Sequence, residues 1–239
     1  MSSFSGKGFL ITGASGGVGG AIARRLGQEG AMLHLSGRNQ ERLEKVANEL
    51  PPGEGRCYPA DLSREDELRD LVRQILAEND RLDGLIHGAA MIVPESLATA
   101  SLEDFTHHFQ TNVLAPFLLT QLLLPALTAG QGQVIFVNSS AGRKAHAGVG
   151  QYAATKHALV ALADTLREES NSAGVRVCSL YLGSTATPMQ AAVRAQEKRP
   201  YDPEKLIQPD DIAQLVVTIL ALPHTAEVID VTVRPTVKS

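Results

Sequence analysis

Apolar residues along this chain fall into two alternating kinds of run. Short stretches rich in β-branched or other apolar residues recur at Gly8–Thr12, Ala31–Ser36, Gly55–Ala60, Gly84–Ala89, Gln133–Asn138, Val175–Leu182 and Val228–Val233. Longer stretches with helical spacing lie between them, near Val18–Glu29, Gln40–Leu50, Arg64–Glu78, Leu102–Leu124, Gln151–Ser170 and Asp210–Leu222. Several short runs, such as Val134-Ile135-Phe136-Val137, are continuously apolar, as expected of parallel strands covered on both faces. Strand and helix in this alternation predict an α/β fold: a doubly wound parallel sheet of about seven strands with helices on both faces. Ligands of such sheets sit beyond the carboxyl ends of the strands. The informative residues fall there: Gly13 to Gly19 after the first strand, Arg38 after the second, Asp61 after the third, Ser139 after the fifth, Gly183 to Thr187 after the sixth.

With 239 residues and no linker-like segment or repeat, the chain fits one domain over 1–239 better than two small ones. The net charge of −4 argues against nucleic acid or an anionic membrane as main partner. The longest apolar stretch, Val113–Leu127, is interrupted by Pro116, Thr120, Gln121 and Pro125, so it reads as a buried helix rather than a membrane span. Met1–Gly8 carries no apolar signal core. Cys57 and Cys178, both in apolar runs, read as buried free thiols suited to a reducing compartment, which points to the cytoplasm. His107 and His108 are adjacent and would point about 100° apart on a helix. With no cluster at ligand spacing nearby, no metal site is expected.

Tyr152 and Lys156 stand four apart in a helical stretch and share a face. A free phenol titrates near pH 10 (about) and is a poor acid or base at neutrality; a neighbouring ammonium favours the phenolate, so Lys156 is expected to lower the Tyr152 pKa. After the first strand, Thr12-Gly13-Ala14-Ser15-Gly16-Gly17-Val18-Gly19 packs four glycines into seven residues. Glycines there allow positive φ and close approach of backbone to a pyrophosphate, while the helix N-terminus offers amides to it. A tight turn without a ligand is the bland alternative. The same letters match Gly-x-Ser-x-Gly, with Ser15 as a hydrolase nucleophile served by His146, His157 or His224. Only one strand precedes that turn, and this rival leaves Tyr152, Lys156 and Asn112 without roles.

Together these residues resemble the short-chain dehydrogenase/reductase family in its single-domain branch, over nearly the whole chain. The family's glycine turn matches Thr12, Gly13, Gly17 and Gly19; its Asp-Leu pair after strand three matches Asp61 and Leu62; its helix asparagine matches Asn112. Its serine, thirteen residues before the tyrosine, matches Ser139 rather than the adjacent Ser140, and Tyr152 and Lys156 complete the set. Two segments depart from the pattern. His87-Gly88-Ala89-Ala90 replaces Asn-Asn-Ala-Gly, where altered local support is expected, and Leu182 replaces a proline, loosening a turn.

The resemblance implies hydride transfer between a nicotinamide and a carbonyl or alcohol. Tyr152 would be the acid/base, Ser139 the hydrogen-bond partner of the substrate oxygen, Lys156 the residue that tunes Tyr152 and binds ribose, and Asn112 the anchor of a proton relay. It further implies that Gly13, Ser15, Gly17, Val18 and Gly19 hold the dinucleotide with Tyr152 and Lys156, that Asp61, Leu62 and Ala89 bind it too, and that Thr185 and Thr187 contact it after strand six. Asp61 has a rival reading as the start of the next helix with Ser63. A dinucleotide-binding sensor or scaffold without turnover is the alternative from another class.

The end of strand two bears on cofactor choice. Gly37 takes the position where a dehydrogenase preferring NAD places an acid, and Arg38 follows, a guanidinium suited to a 2′-phosphate. NADP(H) is therefore expected over NAD(H), with Ser15 and Asn39 adding neutral bonds, although Gly16 stands where many NADP-preferring relatives carry a second basic residue. The resemblance implies that substrate choice falls to 184–208, as a covering segment, and to Met91, Val93, Ala141 and His146. Arg143, Lys144, Arg194, Lys198 and Arg199 flank that pocket, either as a solvated rim or as attraction for an anionic substrate. The apolar helix around Asn112–Leu124 and the alanines 153, 154, 158 and 161 point to oligomerisation, and the resemblance implies that they pair across a two-fold axis in a homodimer or homotetramer.

Overall fold

In a computed structural model, described over residues 4–237, seven strands pair in parallel in the order β3-β2-β1-β4-β5-β6-β7. They are β1 Gly8–Thr12, β2 Met32–Gly37, β3 Gly55–Pro59, β4 Gly84–His87, β5 Gln133–Ser139, β6 Arg176–Leu182 and β7 Asp230–Val233. The chain steps outward from β1 to β3, then returns to place β4 on the other side of β1. The crevice between β1 and β4 is thus the point where strand order reverses.

Helices α1 (Gly17–Gln28), α2 (Gln40–Ala47) and α8 (Pro209–Leu220) contribute Ile22, Leu26, Leu43, Val46, Ile212 and Val216 to one core. Helices α3 (Glu65–Leu76), α5 (Ala115–Gly130) and α6 (Gly150–Ser170) contribute Leu71, Ile75, Leu119, Leu123, Leu159 and Ala163 to the other. Strand residues alternate between them: Phe9 and Ile11 enter the first core and Leu10 the second, while Ile135 opposes Val134 and Phe136. The continuously apolar strands are explained by these two covered faces.

Three elements differ from the sequence reading. The helix expected at Leu102–Leu124 consists of α4 (Leu102–Phe109), a π-helical turn over Gln110–Leu114, and α5, which runs on to Gly130. By length and composition this longer run would suffice to cross a membrane, yet one face of it, Leu119, Leu123 and Leu127, is fully buried in the core. Helix α7, Pro188–Gln196, lies inside 184–208, the segment expected to cover the substrate, and has no counterpart among the predicted helices. Its signal is Thr187-Pro188: the threonine caps the helix by accepting from Gln190 N (3.2 Å), and proline suits the first turn. Strand β4 stops at His87, so Ala89 belongs to the loop beyond it.

The thiols are free. Cys178 is buried, and burial pushes its thiol up to about 12; Cys57 is only half-buried. His108 is packed, Nδ1 donating to Asp104 O (2.6 Å) and Nε2 accepting from Val93 N (3.0 Å), whereas His107 is exposed. No group of side chains suited to a metal occurs among the described residues.

Candidate functional site

The carboxyl ends of the strands open into a cleft of about 800 Å³. Its floor is the turn between β1 and α1. Gly13 has φ +69°, and a Cβ there would sit 2.8 Å from the backbone of Ala89; a Cβ on Gly19 would sit 2.5 Å from Gly13 O. Side chains at these positions would force β1, α1 and the β4 loop apart. At Gly16, by contrast, a Cβ would meet nothing within 4 Å, so this part of the turn faces open space. Thr12 Oγ1 accepts from Gly88 N and Ala89 N (3.2 and 3.3 Å), fastening the β4 loop beside the turn. No side chain caps α1 and no acid lies in its first turn. Its leading amides are therefore not claimed by side chains and carry the partial positive charge of a helix start, which fits a bound pyrophosphate. Ser15, Gly17, Val18 and Gly19 all line the cleft here.

At the β2 and β3 ends the walls are charged. Arg38, Arg42, Lys45 and Arg24 line this end together with Asp61 and Leu62. Arg24 is ion-paired with Glu49, but neither Arg38 nor Arg42 enters an ion pair among the described residues. Arg42 is absent from the sequence reading; its signal is Asn39, whose carboxamide accepts from Arg42 N (2.8 Å) and starts α2. Gly37 is buried, and a Cβ there would approach Ser15 Oγ to 3.1 Å, so an acidic side chain has little room without movement of Ser15. The Asp61 carboxylate accepts from Ser63 N (3.0 Å) and Ser63 Oγ (2.8 Å). Burial alone would raise its pKa; those two bonds with the charges of Arg38 and Arg64 outweigh it and hold the carboxyl below its usual range. Helix α3 starts beyond it, with Arg64 at the cap, so Asp61 does not cap that helix.

At the β4, β5 and β6 ends lie Ser139, Tyr152 and Lys156. Ser139 ends β5 and its Oγ accepts from Ala141 N (3.1 Å), which orients the hydroxyl at the start of a 3₁₀ turn over Ser140–Gly142. Ser140 lines the cleft too, but it is Ser139 that hydrogen-bonds Tyr152. Tyr152 and Lys156 lie one turn apart on α6, with Lys156 Nζ 5.7 Å from the Tyr152 ring centre. Lys156 is 2% exposed, and its Nζ donates to Val137 O (3.1 Å). Its main chain is pinned as well, the carbonyl accepting from Asn138 Nδ2 (3.1 Å).

The electrostatics correct one expectation. Burial pushes the Tyr152 phenol up to about 12, against a smaller opposing pull from the Ser139 hydrogen bond. Lys156 is dehydrated in its turn: burial lowers its pKa to about 8, and its ammonium is engaged by Val137 O.

Asn112 is fully buried and does not line the cleft; its side chain grips Met91 and Thr155 instead of Tyr152 or Lys156. Thr185 is buried, its hydroxyl bonded to Gly183 O (3.0 Å), while the Thr187 methyl lies 3.3 Å from where a Gly17 Cβ would be, so the β6 loop leans over the glycine turn. Leu182 stays in register opposite Ser139, and the following Gly183 N donates to Val233 O (2.8 Å), so strand pairing runs through the position where the family has proline. His87 is neutral support: its ring stacks on Phe136 (4.9 Å), Nε2 lies 2.9 Å from Thr120 Oγ1, and burial and the Lys156 charge depress its pKa to about 3.

Met91 and Ala141 line the cleft as expected, whereas Val93 and His146 do not. Neither His146, His157 nor His224 reaches the cleft beside Ser15, so the hydrolase arrangement does not form. Of the five flanking basic residues, Arg143 pairs with Asp230, Arg199 pairs with Glu197, Lys144 and Lys198 are exposed, and Arg194 is buried rather than solvated.

Residues 7–198 match the short chain dehydrogenase family. An uncharacterized oxidoreductase of Staphylococcus aureus is 30% identical over 227 residues, covering 95% of this chain and 96% of that protein. Among solved structures, a metagenomic short-chain oxidoreductase in complex with NADP superposes with a TM-score of 0.85 at 32% identity, covering 99% of this chain and 100% of that one. An alcohol dehydrogenase from the archaeon Thermococcus sibiricus, complexed with 5-hydroxy-NADP, gives 0.88 at 28% identity, with 98% of each chain covered.

Proposed function

The chain belongs to the short-chain dehydrogenase/reductase family, and from that premise we propose that it is an NADP(H)-dependent oxidoreductase interconverting a carbonyl and an alcohol. The observation that carries this reading is the meeting of Ser139, Tyr152 and the buried, carboxylate-free Lys156 on one wall of the cleft that the glycine turn floors. A bound nicotinamide supplies or accepts the hydride. Tyr152 gives the proton to the substrate oxygen in reduction and takes it back in oxidation; its raised pKa keeps it a donor at neutral pH. Ser139 hydrogen-bonds the same oxygen and fixes its distance from the phenol. Lys156 faces the phenol with a positive charge and holds ribose hydroxyls. Asn112 acts one step behind, fixing Met91 and α6 around the relay that returns the proton.

NADP(H) is favoured over NAD(H) by Arg38 and Arg42, two guanidinium groups that enter no ion pair among the described residues, and by the lack of room for an acid at position 37. Both NADP-bound structures above support that choice. The chain works as one domain over 1–239, with 184–208 covering the substrate. A homodimer or homotetramer is supported by the exposed stripe of Leu114, Phe117 and Gln121 on the π turn and α5, beside Ala154 and Ala161 on α6. The two free thiols suit a cytoplasmic protein.

A titration with NADPH and NADH, combined with a carbonyl reduction assay, tests the reading. Tight NADPH binding with turnover supports it. Binding without turnover of any carbonyl would return the chain to a sensor role.

A further inference from the structure

Charge is divided sharply along the cleft. Arg24, Arg38, Arg42, Lys45 and Asp61 all stand at its β2 and β3 end. Ser139 lies three strand spacings from the end of β2, a distance of about 14 Å across the sheet. Beyond that charged end the cleft is lined by Met91, Ile92, Ala141, Val149, Met189 and Val193, with neutral polar groups on Ser140, Ser184 and Gln190. Among the described residues, the one charged side chain lining this apolar part is Lys156, buried beneath the wall with its Nζ bonded to Val137 O. None of the flanking basic residues supplies another. Arg143 turns away to Asp230 and lies 3.9 Å over the Tyr181 ring, Arg199 turns to Glu197, and neither they nor Lys144, Arg194 and Lys198 line the cleft.

From this division we infer that the substrate is an uncharged ketone or aldehyde with apolar substituents, and that the wall formed by Met91, Ile92, Ala141, Val149, Met189 and Val193 rejects carboxylates. The inference rests on the oxidoreductase reading and adds the substrate class to it. A carboxylate brought against this wall loses its hydration and gains no counter-charge, because Lys156 is buried beneath the wall with its Nζ bonded to Val137 O. An apolar group loses nothing there. Met91 and Met189 are unbranched and adaptable, so the wall accommodates apolar groups of differing shape. In reduction the carbonyl carbon takes the hydride from reduced nicotinamide and the oxygen takes the Tyr152 proton. The C=O π bond is replaced by new C–H and O–H bonds, and the dinucleotide leaves oxidised.

The test is a set of matched ketones and aldehydes, each as a methyl ester and as the free carboxylate, assayed with saturating NADPH. The esters should be preferred in kcat/KM by roughly 100-fold or more, the scale of an uncompensated buried charge. Met189 is 40% exposed, so Met189→Arg should fold normally. It should shift the ratio toward the carboxylates by at least ~10-fold, as one charge-assisted contact would. Carboxylates turned over as well as their esters would overturn the inference alone, as would a ratio indifferent to Met189→Arg. NADPH binding with no turnover across the whole set would overturn the oxidoreductase reading, and the inference with it.

Discussion

Asn112 donates from Nδ2 to Thr155 Oγ1 at 3.1 Å, and the Thr155 hydroxyl in turn donates to the Tyr152 carbonyl at 2.7 Å. The same carboxamide accepts from Met91 N (2.8 Å) and donates to Met91 O (3.0 Å). One buried side chain thus joins the β4 loop to the helix that carries the phenol. Asn112→Ala would leave Met91 and Thr155 without these partners. A stability loss of about 2–3 kcal/mol is expected, the scale of unsatisfied buried groups, together with reduced kcat. Urea unfolding beside steady-state kinetics checks it; an unchanged unfolding midpoint would contradict the role.

Tyr152→Phe removes the proton donor and keeps the ring. Turnover should fall by at least ~100-fold, the usual scale for an acid–base group, with NADPH affinity little changed. Near-full activity in the Phe variant would be incompatible with the proposed mechanism.

For the cofactor, Arg38→Ala should weaken NADPH binding by about 1.5–3 kcal/mol, or roughly 10- to 150-fold, with NADH binding nearly constant. Arg42→Ala should act in the same direction. Gly37→Asp alone should lose NADPH without gaining NADH, because its Cβ crowds Ser15 Oγ at 3.1 Å; adding Ser15→Gly should recover NADH binding. Fluorescence titration of each variant decides this, and a preference that survives loss of both arginines would remove them as selectors.

Lys156 gives a pH dependence of stability. Its pKa is lowered from 10.5 to about 8 by desolvation, so the folded state binds this proton less tightly than the unfolded chain. The resulting penalty is fully present below pH 8 and fades as pH rises toward 10.5. Over that window Lys156 should make the native state more stable with increasing pH, by up to about 1.4 kcal/mol per pH unit. Tyr152 works with the opposite sign, but only between its ordinary value of 10 and about 12. Unfolding of wild type and Lys156→Met at pH 7, 8 and 9 (roughly) isolates the lysine. The stability of wild type relative to the variant should climb with pH, and a flat difference would refute it.

Leu114 and Phe117 are about half exposed on a run whose other face is in the core. Sedimentation at micromolar concentration should show a dimer or tetramer, and Phe117→Arg should shift it toward monomer. A wild-type monomer would end this expectation.

The strand order of glycine turn, Arg38, Asp61, Ser139 and Tyr152 could be read from sequence because each position depends on local spacing that the sheet preserves. The π turn could not. Gln110-Thr111-Asn112-Val113-Leu114 reads as ordinary helix, and its extra width becomes visible only with Asn112 seated between Met91 and Thr155. Spacing also places Lys156 near Tyr152 without revealing how much water their surroundings exclude, and that exclusion sets the direction of the phenol's pKa. Arg42 escapes notice because it joins Arg38 on the cleft wall across a loop and a helix start, where no simple periodicity applies.

The position of β1 has a consequence for the order of assembly. Its neighbours are β2, which follows soon in the chain, and β4, where Phe9 meets Gly84 and Thr12 meets His87 only after two intervening β–α units have passed. Gly13 likewise reaches its tight contact only with Ala89. A nascent chain therefore carries a complete glycine motif long before it has a nucleotide cradle, and one apolar edge of β1 stays open until β4 arrives. Such distant pairing slows folding and leaves an unfilled edge open to misassociation. Synthesis past Ala89, rather than the motif near the N-terminus, marks the earliest point at which the glycine turn can meet the loop that packs against it.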